Sequence, residues 1–225
     1  MCRFMLLASA APTAVHETVL QFAQMCRRST DHAGDWQGDG WGVAWWYEPA
    51  GWCLYRSVLP IWTEPQVIRR LPATRHLLVH ARSASFAEHK GDVSYNQPYI
   101  AGPYAFVFNG MLKGVRFPRK VSGAIGAEKI WMLVRAQFRL GVPLPQALAQ
   151  VYAQLERHSR EIRACNLGVS NGQEYAWYNG NPQGQAYYQL RCTRADTWRM
   201  VSSEPFGSWP WQTCTGVSGG AVKFF

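Results

Sequence analysis

Acidic residues are scarce in this chain: 14 Asp and Glu stand against 23 Lys and Arg in 225 residues, a formal charge of +9. Such an excess raises the question of a polyanionic partner, and the spread of the basic residues bears on it. There is no run of five. Arg27-Arg28, Arg69-Arg70 and Arg116 to Lys120 are short clusters without a helix-turn-helix, RNA-recognition or zinc-finger pattern beside them, so nucleic acid is not expected and a solvated basic surface is. Cys-x-x-Cys pairs are also missing. Six scattered cysteines, Cys2, Cys26, Cys53, Cys165, Cys192 and Cys214, argue against a zinc site or a disulfide framework, and reduced thiols in a cytoplasm are expected, with no metal and no cofactor. No apolar run reaches the roughly 18 residues of a membrane span, and Met1 to Ala11 lacks a small-residue cleavage site. Repeats, linkers and low-complexity segments are absent too, and the length with 48% hydrophobic residues suits one large domain.

What is present reads as strands and helices in alternation. Arg3 to Ala8 is a short apolar strand, and Val15, Val19, Phe22 and Cys26 recur at helical spacing. Trp41 to Tyr47 and Trp52 to Tyr55 flank Glu48-Pro49-Ala50-Gly51 as a hairpin. Leu77 to Ala81 and Tyr104 to Phe108 are apolar enough for buried strands. Glu128 to Leu140 and the segment from Leu144 to Leu155 each carry one apolar helical face, separated by Gly141-Val142-Pro143. Asn166 to Ser170, Tyr175 to Tyr178, Tyr187 to Arg191 and Arg199 to Ser203 read as closing strands, with Asn171-Gly172 as a turn. This order predicts sheets packed face to face with helices outside. The 11 tryptophans fall mostly in strand-like runs, where packing accounts for them.

Chemistry enters with Met1-Cys2-Arg3-Phe4. Once Met1 is trimmed, Cys2 carries a nucleophilic thiol and a free α-amine, with ordinary pKa values of roughly 8.5 and 7.7–8.0, so one residue can be nucleophile and base. Three further motifs join it: Gly38-Asp39-Gly40-Trp41-Gly42, His80-Ala81-Arg82-Ser83-Ala84-Ser85, and Phe108-Asn109-Gly110, the last two at the ends of predicted strands. Together with Asn96-Gln97-Pro98-Tyr99, Asn166 to Gly172 and Ser202-Ser203-Glu204-Pro205, they make the chain resemble the class II glutamine amidotransferases. These are N-terminal-nucleophile hydrolases. The resemblance spans almost the whole chain and is closest to stand-alone members without a synthase domain. It implies an α+β fold, a four-layer αββα sandwich, over a single domain at 2–225 with Met1 removed.

By the same resemblance Cys2 is the nucleophile, the Asn109 carboxamide and the Gly110 N–H form the oxyanion hole, and Arg82 grips a substrate α-carboxylate beside Ser83. A planar guanidinium suits that bidentate contact. His80, two residues before Arg82 and on the same strand face, is expected to hold structural hydrogen bonds rather than to act as a base. Gly38 to Gly42 is expected to shape a loop over the nucleophile. One departure stands out. Gly126-Ala127-Glu128 replaces the family's Asp-Ser/Thr-Glu, and the missing aspartate is the one that binds the α-ammonium of glutamine; Glu128 matches the helix-side residue and is not given that role. The implied activity is a cysteine amidohydrolase acting on glutamine or a γ-glutamyl amide, with a small-molecule amide as its partner and room for an ammonia-accepting protein. Members of the ergothioneine pathway, which cleave a γ-glutamyl group from a larger amide, are a near variant favoured by Gly126. The rival from another class is a catalytically silent binding protein that keeps the fold and engages a protein or polyanion through its basic surface.

Overall fold

The computed structural model describes residues 1–221, so the last four residues of the expected domain lie outside the described residues. The elements follow in order as β1 (Arg3–Thr13), α1 (His16–Arg27), β2 (Trp41–Tyr47), β3 (Gly51–Ser57), α2 (Pro65–Ile68), β4 (Thr74–Ala81), β5 (Tyr99–Ala101), β6 (Tyr104–Lys113), α3 (Gly126–Arg139), α4 (Leu144–His158), β7 (Glu161–Ser170), β8 (Glu174–Tyr178), β9 (Arg191–Arg194), β10 (Trp198–Ser202), β11 (Gln212–Thr213) and β12 (Val217–Ala221). They form two antiparallel sheets, one in the order β11-β9-β10-β1-β4-β2-β3, the other β12-β8-β7-β6-β5.

Strand alternation explains the layering. Along β1, Phe4, Leu6 and Ala8 pack into the core between the sheets, while Met5 and Leu7 face the core under α1. In β4 Leu78 points inward and Leu77, Val79 and Ala81 outward; in β6 Ala105 and Val107 point inward and Phe106 meets α3 and α4. Three apolar cores therefore separate four layers: helix, sheet, sheet, helix. Each fully buried Leu, Phe or Met contributes roughly 1.5–3 kcal/mol by leaving water. The α+β, four-layer αββα sandwich expected from the sequence is the fold observed.

Two local expectations need correction. Phe108-Asn109-Gly110 does not end a strand: Asn109 pairs with Asn166 and Gly110 with Cys165 inside the ten-residue β6. The Asn-Gly pair forms turns when glycine takes positive φ, and Gly110 does not; a Cβ there would instead run into the Ala164 carbonyl and the Phe108 ring. The strand expected over Tyr187–Arg191 is a 3₁₀ turn, Ala186–Tyr188, with pairing beginning only at Arg191. Side chains have taken the backbone groups a ladder would use: Asn166 Nδ2 donates to the Tyr188 carbonyl (2.8 Å) and Leu190 N–H donates to Asn179 Oδ1 (3.4 Å).

Candidate active site

The same alternation that places Phe4 and Val107 between the sheets carries Cys2, His80, Asn109 and Asn166 to one end of that inter-sheet space. Asn109 Nδ2 donates to the Cys2 carbonyl, and its Oδ1 accepts from Asn166 Nδ2 at 3.4 Å. Asn109 is 1% exposed and Asn166 fully buried, so the carboxamide is held at both ends. Behind it the Gln97 side chain acts as a short piece of strand, accepting from Phe108 N–H (2.6 Å) and donating to the Phe108 carbonyl (3.2 Å). Gly110 lines the adjacent cavity.

On the other side of Cys2, the fully buried Arg3 is the fixed point. Its Nε donates to Glu204 Oε2 at 2.9 Å and its terminal nitrogen to Asp35 Oδ2 at 2.8 Å, with its guanidinium 4.7 Å from the centre of the Tyr187 ring. Glu204, itself buried, also accepts from Ser29 Oγ (2.7 Å), from Thr30 N–H and Oγ, and from Asp31 N–H. One carboxylate thus joins the start of β1, the loop after α1 and the end of β10. With Met1 in place the terminal ammonium sits 2.9 Å from Tyr187 Oη and 3.3 Å from Asp35 Oδ1. Asp35, Tyr187 and Asn166 were not singled out from the sequence for any contact with the amino terminus or with Asn109. The signal available for Glu204 was its place in Ser-Ser-Glu-Pro. For Asn166 it was the parity of a strand that pairs with β6.

Arg82 leaves β4 at the same end. Its guanidinium donates to the carbonyls of His89 (2.7 Å) and Asp92 (3.5 Å) and to Asn96 Oδ1 (3.3 Å), and no carboxylate pairs with it among the described residues. Ser83 touches the thiol through its backbone: its N–H lies 3.4 Å from Cys2 Sγ, and its carbonyl 3.5 Å. Gly38 to Gly42 does not lie over the thiol as a free loop but clamps this segment. Asp39 N–H donates to the Arg82 carbonyl, Arg82 N–H to the Gly40 carbonyl, and Ala84 N–H to Asp39 Oδ2. Gly40, at φ 106°, has no room for a side chain beside Asn96 and the Ser57 carbonyl.

Burial pushes the Cys2 thiol up, against the opposing pull of the Ser83 N–H, the terminal ammonium, Arg82 and Arg3. His80 is buried: burial, with Arg82 adding to it and a backbone contact at Phe108 opposing it, lowers its pKa to about 3, and neither ring nitrogen makes a well-aligned hydrogen bond. It is a neutral ring at the base of the site. All six cysteines are free.

Cys2, Arg82, Ser83, Gly110 and Gly126 open onto one cavity of about 1050 Å³. At Gly126 a Cβ would meet nothing within 4 Å, so the position is empty space rather than a packing constraint. The Glu128 carboxylate turns back to accept from Ala124 N–H (2.7 Å) and Ile125 N–H (3.4 Å), capping α3. A thiol beside a fixed carboxamide donor, with a buried cation nearby, is a set of groups able to support acyl transfer. Among the described residues no group of three His, Cys, Asp or Glu could hold a metal ion, and no helix is long and apolar enough to cross a membrane.

No protein-family model matches the chain, nor does any curated protein. Solved structures do. A glutamine aminotransferase class-II domain protein from Silicibacter pomeroyi aligns over 99% of this chain and 100% of its own, at 18% identity and a TM-score of 0.61. A structure described as a predicted glutamine amidotransferase from Pseudomonas aeruginosa PA01 aligns over 98% of this chain and 96% of its own, at 18% identity and a TM-score of 0.53. Glutamine phosphoribosylpyrophosphate amidotransferase from B. subtilis aligns over 99% of this chain, at 13% identity and a TM-score of 0.55; the chain spans 49% of that protein. At these identities the likeness is one of architecture: the chain shares the four-layer, two-sheet fold of these glutamine amidotransferase structures.

Proposed function

We propose that this chain is a cysteine-dependent amidohydrolase of the class II glutamine amidotransferase type, cleaving glutamine or a γ-glutamyl amide through a thioester on Cys2. The observation that carries the reading is the contact between Asn109 and Cys2: residues 107 positions apart meet where Cys2 and Gly110 line a cavity, with the buried Asn109 carboxamide locked by Asn166. The same reading takes residues 2–225 as one cytoplasmic domain from which Met1 has been removed.

The thiol needs a base at the moment of attack, and the α-amine of a terminal Cys2 is that base. It takes the thiol proton as sulfur bonds to the amide carbon. The charge formed on oxygen is received by Asn109 Nδ2 and Gly110 N–H. Collapse breaks the C–N bond, the proton leaves with ammonia or the amine, and water then hydrolyses the thioester to the free acid. Arg82, a buried guanidinium without an acidic partner, receives the substrate's α-carboxylate beside Ser83. Delivery of ammonia to an acceptor requires a partner protein closed over the cavity.

Cys2→Ala is expected to lower amide hydrolysis at least about a thousandfold with unchanged circular dichroism. A glutamine-analogue electrophile should add one equivalent of mass to wild type lacking Met1 and none to the variant. Retained turnover in Cys2→Ala ends the assignment. Asn109→Ala should reduce kcat by roughly a hundred- to a thousandfold with little change in KM, because the donor acts on charge that exists only in the transition state. A change confined to KM would make Asn109 a binding residue.

A further inference from the structure

The cavity is larger than a single amino-acid amide needs, reaching the upper end of the range that drug-sized ligands fill. Its charge is also one-sided. Arg82, Lys113, Arg116, Arg119, Lys120 and Lys129 line it, and no aspartate or glutamate does. Lys113 reaches Glu161 at 3.3 Å, but Arg116, Arg119, Lys120 and Lys129 make no ion pair among the described residues. The nearest candidate acid, Glu128, is turned onto backbone N–H groups, and Gly126 brings no side chain at all. An ordinary solvated basic surface mixes signs; this wall does not, and residues 114–124 contain no acidic residue. Between the cations stand apolar groups, among them Phe117, Val121 and Leu133. The start of the 14-residue α3 adds its positive end to the same side. A concave wall carrying one sign of charge concentrates field and raises local ligand concentration.

From this we infer that the preferred substrate is an amide whose leaving-amine half bears an anionic group, a carboxylate or a phosphate, held by Arg116, Arg119 and Lys120 and joined to the scissile nitrogen through an apolar spacer. The inference rests on the amidohydrolase reading and names the substrate class of the same site. The bond broken is still the amide C–N, the proton still leaves with the amine, and the anionic group takes no part in the chemistry. Free glutamine, whose leaving group is ammonia, leaves this wall unused, and its α-ammonium finds no carboxylate in the cavity lining.

The test compares three γ-glutamyl anilides: 4-nitroanilide, the same ring with a 3-carboxylate, and a ring bearing a phosphonate. Binding to full-length Cys2→Ala is read by tryptophan fluorescence, and hydrolysis is measured with wild type. At low salt at least one anionic anilide should bind at least about tenfold tighter than the neutral one, and the better of the two identifies the group. The advantage should shrink with added salt, disappear in Arg116→Gln/Arg119→Gln/Lys120→Gln, and survive in Arg116→Lys/Arg119→Lys. Equal binding of all three, or an advantage kept by the glutamine variant, overturns the anionic leaving half while hydrolysis by wild type leaves the amidohydrolase reading standing. If wild type cleaves none of them and Cys2 resists the electrophile, the reading falls and the inference with it.

Discussion

The two walls of the cavity are built on opposite plans. Behind the Cys2 wall Arg3, Asn109, Asn166 and Glu204 are at most 2% exposed, sit on or beside paired strands, and hydrogen-bond to groups within the protein. On the facing wall Arg116, Arg119 and Lys120 lie in a segment without a ladder, exposed and without ion pairs among the described residues. The difference follows from what each wall can tolerate. A nucleophile and its oxyanion donor lose rate when displaced by an ångström, whereas a field from several cations changes slowly with their positions. Rigid hydrogen bonding suits the first task and solvated side chains the second.

The comparison is broken most severely by Glu204→Ala. Removing that carboxylate leaves Arg3 buried beside Asp35 alone and strips the acceptor from Ser29, Thr30 and Asp31, so urea denaturation should show a loss of about 3–5 kcal/mol. A loss below about 1 kcal/mol would mean that the Cys2 wall is not held by this network.

A second break uses pH. His80 has a folded pKa of about 3 against an ordinary 6.5, so on acidification the unfolded chain takes up the proton first. Stability from this group is complete above pH 6.5 and is lost on descending toward pH 3, by about 2–3 kcal/mol between pH 7 and 4.5. His76, lowered to about 4 by burial and Arg75, acts in the same direction, which makes the difference between wild type and His80→Leu the informative quantity. An unchanged pH slope in His80→Leu would show that His80 is not the buried neutral ring described. The smallest effect sharpens the contrast from the other side: Arg119→Gln, on the exposed wall, should move stability by no more than about 0.5 kcal/mol. A shift above 1 kcal/mol would place Arg119 in the folded framework.

Much of this was legible in the sequence where periodicity is strong. The apolar run from Arg3 to Ala8, the helical faces at Val19 to Cys26 and Leu144 to Leu155, and the Asn171-Gly172 turn all correspond to observed elements. β1 ran on to Thr13 through pairing of Ser9 with Trp198 and of Thr13 with Thr74, partners that no local pattern announces. Cys2, Arg82, Asn109 and Gly110 were named from motifs; Cys2, Arg82 and Gly110 line one cavity, and Asn109 lies buried beside it against the Cys2 carbonyl. What could not be read was their support. Glu204 lies 201 positions from Arg3, and Tyr187 lies 152 from Asp35; such pairs are fixed by sheet register, which a linear reading does not contain. For His80, strand parity gave its face but not how weakly its ring nitrogens are partnered there.

Register also sets the order in which the site can come into being. β1 has β4 on one side and β10 on the other, with Met5 opposite Ser202, so the strand that carries Cys2 is closed only when residues almost two hundred positions later have been made and folded back. Closing so long a loop costs entropy before any contact repays it, and folds dominated by such pairings are slow. On a growing chain, Met1 and Cys2 therefore remain outside any finished site until β10 arrives. The Met1 removal proposed above would fall in that interval, while the residue is still accessible. A folding rate that fell sharply when β1–β10 pairing was weakened at Leu6 or Val201, with β4 contacts untouched, would mark this closure as the late step that turns the chain end into part of a cavity.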